Sequence, residues 1–113
     1  MDLTDQNNEI REFCKKRDWK KFHTPKDLSV GITTESSELM EIFRFKKEHE
    51  QEKVLNENIE AVEDELADVL FFTFRFADLY DIDLQEALDK KLEKNRNRYP
   101  KEEYRGSNKK YDE

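Results

Sequence analysis

The chain is short of the residues that make turns and cross-links. Two Gly and two Pro in 113 residues leave too few reversals for a sheet protein. The single cysteine, Cys14, excludes an internal disulfide and fits a reducing compartment. With two His and no second His or Cys at ligand spacing, a histidine–thiolate metal site built on His23 is not expected. No apolar run approaches the ~18 residues of a membrane span, and no signal peptide is evident, so the expected location is the cytoplasm with no membrane partner. Positive charge is also in deficit. Lys plus Arg number 21 against 28 Asp plus Glu, a net charge of −7, and no basic stripe could track a nucleic-acid backbone.

What the chain has in quantity is charge. Charged residues are 43% and apolar ones 35%, a balance that approaches disorder. The apolar positions are strongly periodic, however, so folded helices with polar outer faces are expected. A first helix spans roughly residues 4–18, with Ile10, Phe13 and Cys14 inward and Thr4 as N-cap. Thr24-Pro25-Lys26-Asp27 combines an N-cap, a first-turn proline and an acid three residues after the cap. It starts a second helix to about residue 47. Residues 48–56 are polar and read as a loop. A third helix covers about 58–80 and is apolar almost all round between Val69 and Phe76. Asp83-Leu84-Gln85-Glu86 resembles a capping box and opens a fourth helix to about residue 97. Pro100 bars its continuation, and residues 101–113 read as a polar, disordered tail.

Four helices with short connections predict an all-α, antiparallel four-helix bundle over residues 1–100. A helix apolar on all sides needs more cover than three partners give. Phe71 and Phe74 should therefore be covered by the first helix or by a second subunit, in a homodimer or a dimer of dimers.

The chemistry concentrates on two helices. Leu28, Ile32, Leu39 and Ile42 stand seven and three residues before and four and seven after Glu35, so all lie near its angle at about 100° per residue. Glu35 thus interrupts an apolar stripe, with Glu38 about 60° to its side. Glu65 repeats the pattern with Ala61, Val69, Phe72 and Phe76, flanked by Asp68. An unpaired inward carboxylate is costly unless it is protonated, paired or bound to metal. Four acids without a cation on those stripes favour a hard divalent ion, Mg²⁺ or Mn²⁺. The plain alternative is a charged face or salt-bridge network. Glu41 lies about 120° from the stripe centre, where it would support the ligands or face solvent.

On the fourth helix Lys91, Asn95 and Arg98 share a face, beside an apolar stripe of Leu88, Leu92 and Tyr99. Two cations and an amide near metal-binding acids suit a polyphosphate; an exposed basic helix end is the bland reading. Trp19, Phe22 and His23 cluster before the second helix, with Phe45 near its end. Such rings pack as core or lid, or stack on a nucleobase.

Several stretches together resemble a known family. They are Arg17-Asp18-Trp19, Phe22-His23-Thr24-Pro25, Glu35-x-x-Glu38-Leu39-x-Glu41, Glu63-Asp64-Glu65-Leu66-Ala67-Asp68-Val69-Leu70, and Lys91-x-x-x-Asn95-x-x-Arg98-Tyr99-Pro100. In order and spacing they are similar to the all-α nucleoside triphosphate pyrophosphatases, the MazG-like group, and within it the dCTP-pyrophosphatase-like branch. The resemblance spans roughly residues 9–100. It implies a Mg²⁺-dependent enzyme that hydrolyses a (deoxy)nucleoside triphosphate to monophosphate and pyrophosphate. It makes Glu35, Glu38, Glu65 and Asp68 metal ligands. Lys91, Asn95, Arg98 and Tyr99 fall near the phosphates, and Trp19 on the base. Glu38 and Glu41 are the candidates to orient the attacking water, and Lys91 and Arg98 would neutralise the leaving pyrophosphate. The sequence departs from the pattern at Thr34, where an acid often stands, and at Phe45, where the branch commonly has Trp. Ile10 and Phe72 replace polar or ring-bearing residues of the base pocket. A non-enzymatic helical interaction module and a phosphoribosyl-ATP pyrophosphohydrolase-like enzyme are the competing readings. A di-iron bundle is disfavoured because no Glu-x-x-His pair is present.

Overall fold

The computed structural model describes residues 2–112. Among them every regular element is helical. The helices are α1 (Thr4–Lys16), a 3₁₀ turn (Lys20–Phe22), α2 (Pro25–Phe43), α3 (Glu48–Glu57), α4 (Ile59–Leu79), α5 (Leu84–Arg98) and the short α6 (Lys101–Tyr104). The chain divides into two compact units, residues 1–81 and 82–113.

The first unit is organised on α2 and α4. Thr24 Oγ1 accepts from Asp27 N at 3.2 Å and Pro25 opens the helix, so the start of α2 is where its capping signal put it. Carboxylates of Glu35 and Glu65 meet, Gly31 lies against the Phe72 ring, and His23 reaches Arg75 and Tyr80. One helix's numbers rise as the other's fall, so the pair is antiparallel. Helix α1 packs on α4. Arg11 Nε donates to Asp78 Oδ2 at 2.9 Å, and the Phe13 ring stands edge-on to Phe71 with centroids 6.1 Å apart. Phe71 is therefore covered by the first helix. Cys14, Leu28, Val62 and Ala77 are buried, a small core for a chain of this length.

Three boundaries depart from expectation. Residues 48–57 are helix, not loop. Their Glu, Gln, Lys and Leu are good helix formers, Glu48 and Glu50 sit favourably in the first turn, and α3 lies against α2 and α4 with Val54 and Leu55 half-buried. Helix α2 stops at Phe43 rather than near residue 47, because Arg44 swings out of the helix with ψ 136° and Phe45 follows at a left-handed φ of 67°. Asp18 and Asp81 do the same at 53° and 54°, so in a chain poor in glycine other residues make the reversals. At the start of α1, Thr4 is the first helical residue and not the cap; Asp2 Oδ1 accepts from its N–H at 3.0 Å.

In the second unit Asp83 Oδ1 accepts from Glu86 N at 3.0 Å, the expected cap of α5. The segment read as a disordered tail carries α6 and returns to the end of α5. Tyr104 and Tyr111 both meet Tyr99 edge-on, at 4.9 and 6.0 Å between centroids.

Gly31 has a packing role. A Cβ there would fall 2.7 Å from Phe72 Cδ1. Gly31→Ala should therefore lose stability, overpacking at about 1–3 kcal/mol outweighing the ~1 kcal/mol gain in helix propensity. Urea unfolding of Gly31→Ala, Phe72→Leu and the double variant checks this. The double variant should be more stable than the two single losses sum to.

Candidate metal centre

Glu35 and Glu65 sit at the middle of the α2–α4 contact. Carboxylate oxygens of Glu35, Glu38 and Glu65 lie within 4.8 Å of one another. Glu35 and Glu65 are half-buried and Glu38 is exposed. Glu35 Oε2 and Glu65 Oε2 are buried with no hydrogen-bond donor. Two ionised carboxylates cannot bond each other, so these oxygens need either a proton between them or a cation. Burial, then the neighbouring Glu38 and Glu65, pushes the Glu35 carboxyl up from 4.5 to about 7. Glu65 is raised too, by burial first and then by the neighbouring Glu38 and Asp68, while the close Glu35 carboxyl acts in the opposite direction. All-oxygen donors, two of them without a partner, fit a hard divalent cation.

The other candidates fall in different places. Asp68 is exposed and outside the close trio, but near enough for its charge to raise both glutamates. Glu41 turns to Arg44, Oε1 to Nη1 at 3.0 Å. Phe45 is 88% exposed and lies under the Arg44 guanidinium at 4.5 Å. Trp19 is half-buried, edge-on to Phe13 and His23 at 5.4 and 6.3 Å. In the second unit Lys91, Asn95 and Arg98 share one face of α5 by their spacing. Arg98 packs over the Tyr111 ring at 4.5 Å, so the C-terminal segment holds two of the residues expected near phosphate.

Sequence reading missed two residues here. Gly31 was not singled out, although an isolated glycine inside a helix often marks a close approach. Arg75 was lost in the apolar run of α4. Its signal was there, a lone cation between Phe74 and Phe76.

An antiparallel α-helical pair carrying a half-buried carboxylate trio, open at Glu38, defines the class. The comparisons narrow it. The model of the MazG-like family matches residues 30–113. The dCTP pyrophosphatase 1 of Rattus norvegicus is 37% identical over 102 residues, 88% of this chain and 60% of the relative. That of Homo sapiens is 36% identical over 104 residues, 90% of this chain and 61% of the relative. A pyrophosphatase from Archaeoglobus fulgidus superimposes with a TM-score of 0.84 at 39% identity, covering 87% of this chain and 92% of that one. The chain belongs to the MazG-like family. It spans about three-fifths of the length of the curated relatives it matches.

The raised carboxyls set a pH dependence. A folded state that holds a proton more tightly than the unfolded chain gains stability at low pH. That gain is lost as pH climbs from 4.5 through about 7. Metal-free melting temperature should fall across this window, and added Mg²⁺ should restore it most at the upper end. Glu65→Gln removes one repelling charge and keeps the shape. It should melt at or above wild type in EDTA and gain much less from Mg²⁺. A variant clearly less stable than wild type in EDTA would make Glu65 a structural ion-pair partner.

Proposed function

We propose that the chain is a divalent-metal-dependent nucleoside triphosphate pyrophosphohydrolase, converting a (d)NTP and water to (d)NMP and pyrophosphate. The observation that carries this is the pair of buried, donor-less oxygens of Glu35 and Glu65, closed by Glu38, in a MazG-like chain. The names of its relatives, dCTP pyrophosphatase 1 and a pyrophosphatase, point to the same reaction, with a pyrimidine deoxynucleotide as the first substrate to try.

In this reading Glu35, Glu38, Glu65 and Asp68 hold Mg²⁺, with Mn²⁺ as a substitute. The bound ion supplies positive charge to the phosphate oxygens and polarises the scissile linkage. Glu38, the exposed member of the trio, orients the attacking water. Glu41 is the other candidate, once released from Arg44. Lys91 and Arg98 neutralise charge on the departing pyrophosphate, and Asn95 and Tyr99 position it. Trp19 and Phe45 flank the base.

Self-association fits the surface of α4. Ile59, Leu66 and Leu70, which share a helix face, are 44%, 50% and 41% exposed. Such a patch is normally covered in an assembly, here a homodimer or a dimer of dimers.

The test is a panel of the common NTPs and dNTPs with Mg²⁺, the products resolved by chromatography. Pyrophosphate and a monophosphate should appear together. Stepwise release of orthophosphate through a diphosphate sinks the proposal. Trp19→Ala should raise KM about tenfold, the scale of one lost base stack, while Lys91→Ala should lower kcat/KM for every nucleotide alike.

Phe45 gives a separate check. A bulky residue at positive φ costs of order 1–3 kcal/mol and here buries almost nothing. Phe45→Gly should therefore melt at or above wild type yet raise KM. An unchanged KM removes Phe45 from the base site.

A further inference from the structure

Arg75 is the one charged side chain buried among the described residues, at 4% exposure. Its Nε donates to His23 Nδ1 at 3.0 Å. A ring nitrogen that accepts carries no proton, so His23 is neutral with its hydrogen on Nε2. Burial and the charge of Arg75 both hold the His23 pKa down. The His23 carbonyl accepts from Tyr80 Oη at 3.2 Å, which fixes the ring's backbone to the end of α4. The guanidinium is thus clamped through Nε by a neutral partner. Neither Nη atom donates to a protein acceptor among the described residues, and none of their carboxylates forms an ion pair with Arg75.

A buried guanidinium stays charged and is costly without a counter-charge. The acids nearby are already engaged. Asp78 is paired with Arg11 through both its oxygens. Asp18 Oδ2 lies 3.1 Å from Lys21 Nζ. Both acids line a cavity of about 410 Å³ that also takes in Arg75, Arg11, Lys15 and Lys20. Lys15 and Lys20 form no ion pair among the described residues. The cavity therefore gathers four cations, Arg11, Lys15, Lys20 and Arg75, against two carboxylates, Asp18 and Asp78, each ion-paired to another cation, and Arg75 acts on Asp78 only through its charge.

We propose that this cavity binds a phosphate-class oxyanion. The anchor is the Nη1–Nη2 edge of Arg75, whose two parallel donors match two oxygens of a phosphoryl group. Lys15 and Lys20 add charge at the mouth. Arg75 is ten residues from Glu65 on α4, about 15 Å along the axis, so the site is separate from the carboxylate trio and does not depend on the reaction proposed above.

The test titrates inorganic phosphate into the metal-free protein in EDTA, at constant ionic strength set with chloride. Binding is followed by NMR at the Arg75 side chain and the Lys15 and Lys20 amides. Saturable shifts are expected, weakened about tenfold in Lys15→Ala/Lys20→Ala, the scale of a lost charge-assisted contact. That double variant changes two exposed side chains and keeps the fold. Arg75→Lys keeps the charge without the fork and should abolish saturation while circular dichroism stays native. Parallel titrations with pyrophosphate and a nucleoside monophosphate, read at the same signals, name the phosphate species preferred. Shifts that grow without saturating, that chloride reproduces, or that persist unchanged in the lysine variant overturn the proposal.

Discussion

The fold turns on a repulsion. Two helices pack antiparallel through a contact at whose centre Glu35 faces Glu65, with Glu38 and Asp68 close by. Like charges held this close disfavour the contact, and each raises the other's carboxyl. The contact tolerates this because apolar packing continues on either side. Leu28 is fully buried toward one end of α2 and Val62 is buried near the start of α4. Gly31 lets the Phe72 ring come close between them. A proton or a cation relieves the conflict, so ligand binding and the stability of the helix pair are coupled.

The same reasoning explains the character of the surroundings. An apolar flank lowers the local dielectric, which raises the carboxyls and increases the favourable interaction with a divalent charge. Glu38 remains at the solvent edge, so the trio is open on one side. The aromatic residues that precede α2 are anchored from below: Trp19 leans on His23, and His23 on Arg75. The loop before α2 is therefore fixed by a buried cation in the opposite helix.

Much of this was legible in the sequence because helical periodicity is a strong signal. Glu35 and Glu65 interrupt apolar stripes, and their angles gave their meeting directly. Caps at Thr24 and Asp83 were readable because each is a local pattern of three or four residues. Helix α3 was missed because its apolar content, Val54 and Leu55, is too sparse for periodicity, and its helicity rests on propensity and neighbours. The end of α2 was missed because nothing marks Phe45 as left-handed; glycine would have. The fold of residues 101–112 depends on rings meeting Tyr99, pairings that the spacing of three tyrosines does not specify.

Helix α1 is held on α4 by the Arg11–Asp78 ion pair, the edge-on Phe13–Phe71 contact and the packing that encloses Cys14. Such a terminal helix can open locally at a lower free energy than the whole domain. It also carries Cys14, the only thiol in the chain, fully enclosed and with its pKa raised by that burial. Cys14 borders the cavity beside Arg75 without exposure in the folded chain, so an alkylating reagent reaches its sulfur only through local opening around α1. The rate of thiol labelling is consequently a clock for that opening, supplied by the protein itself without any added probe.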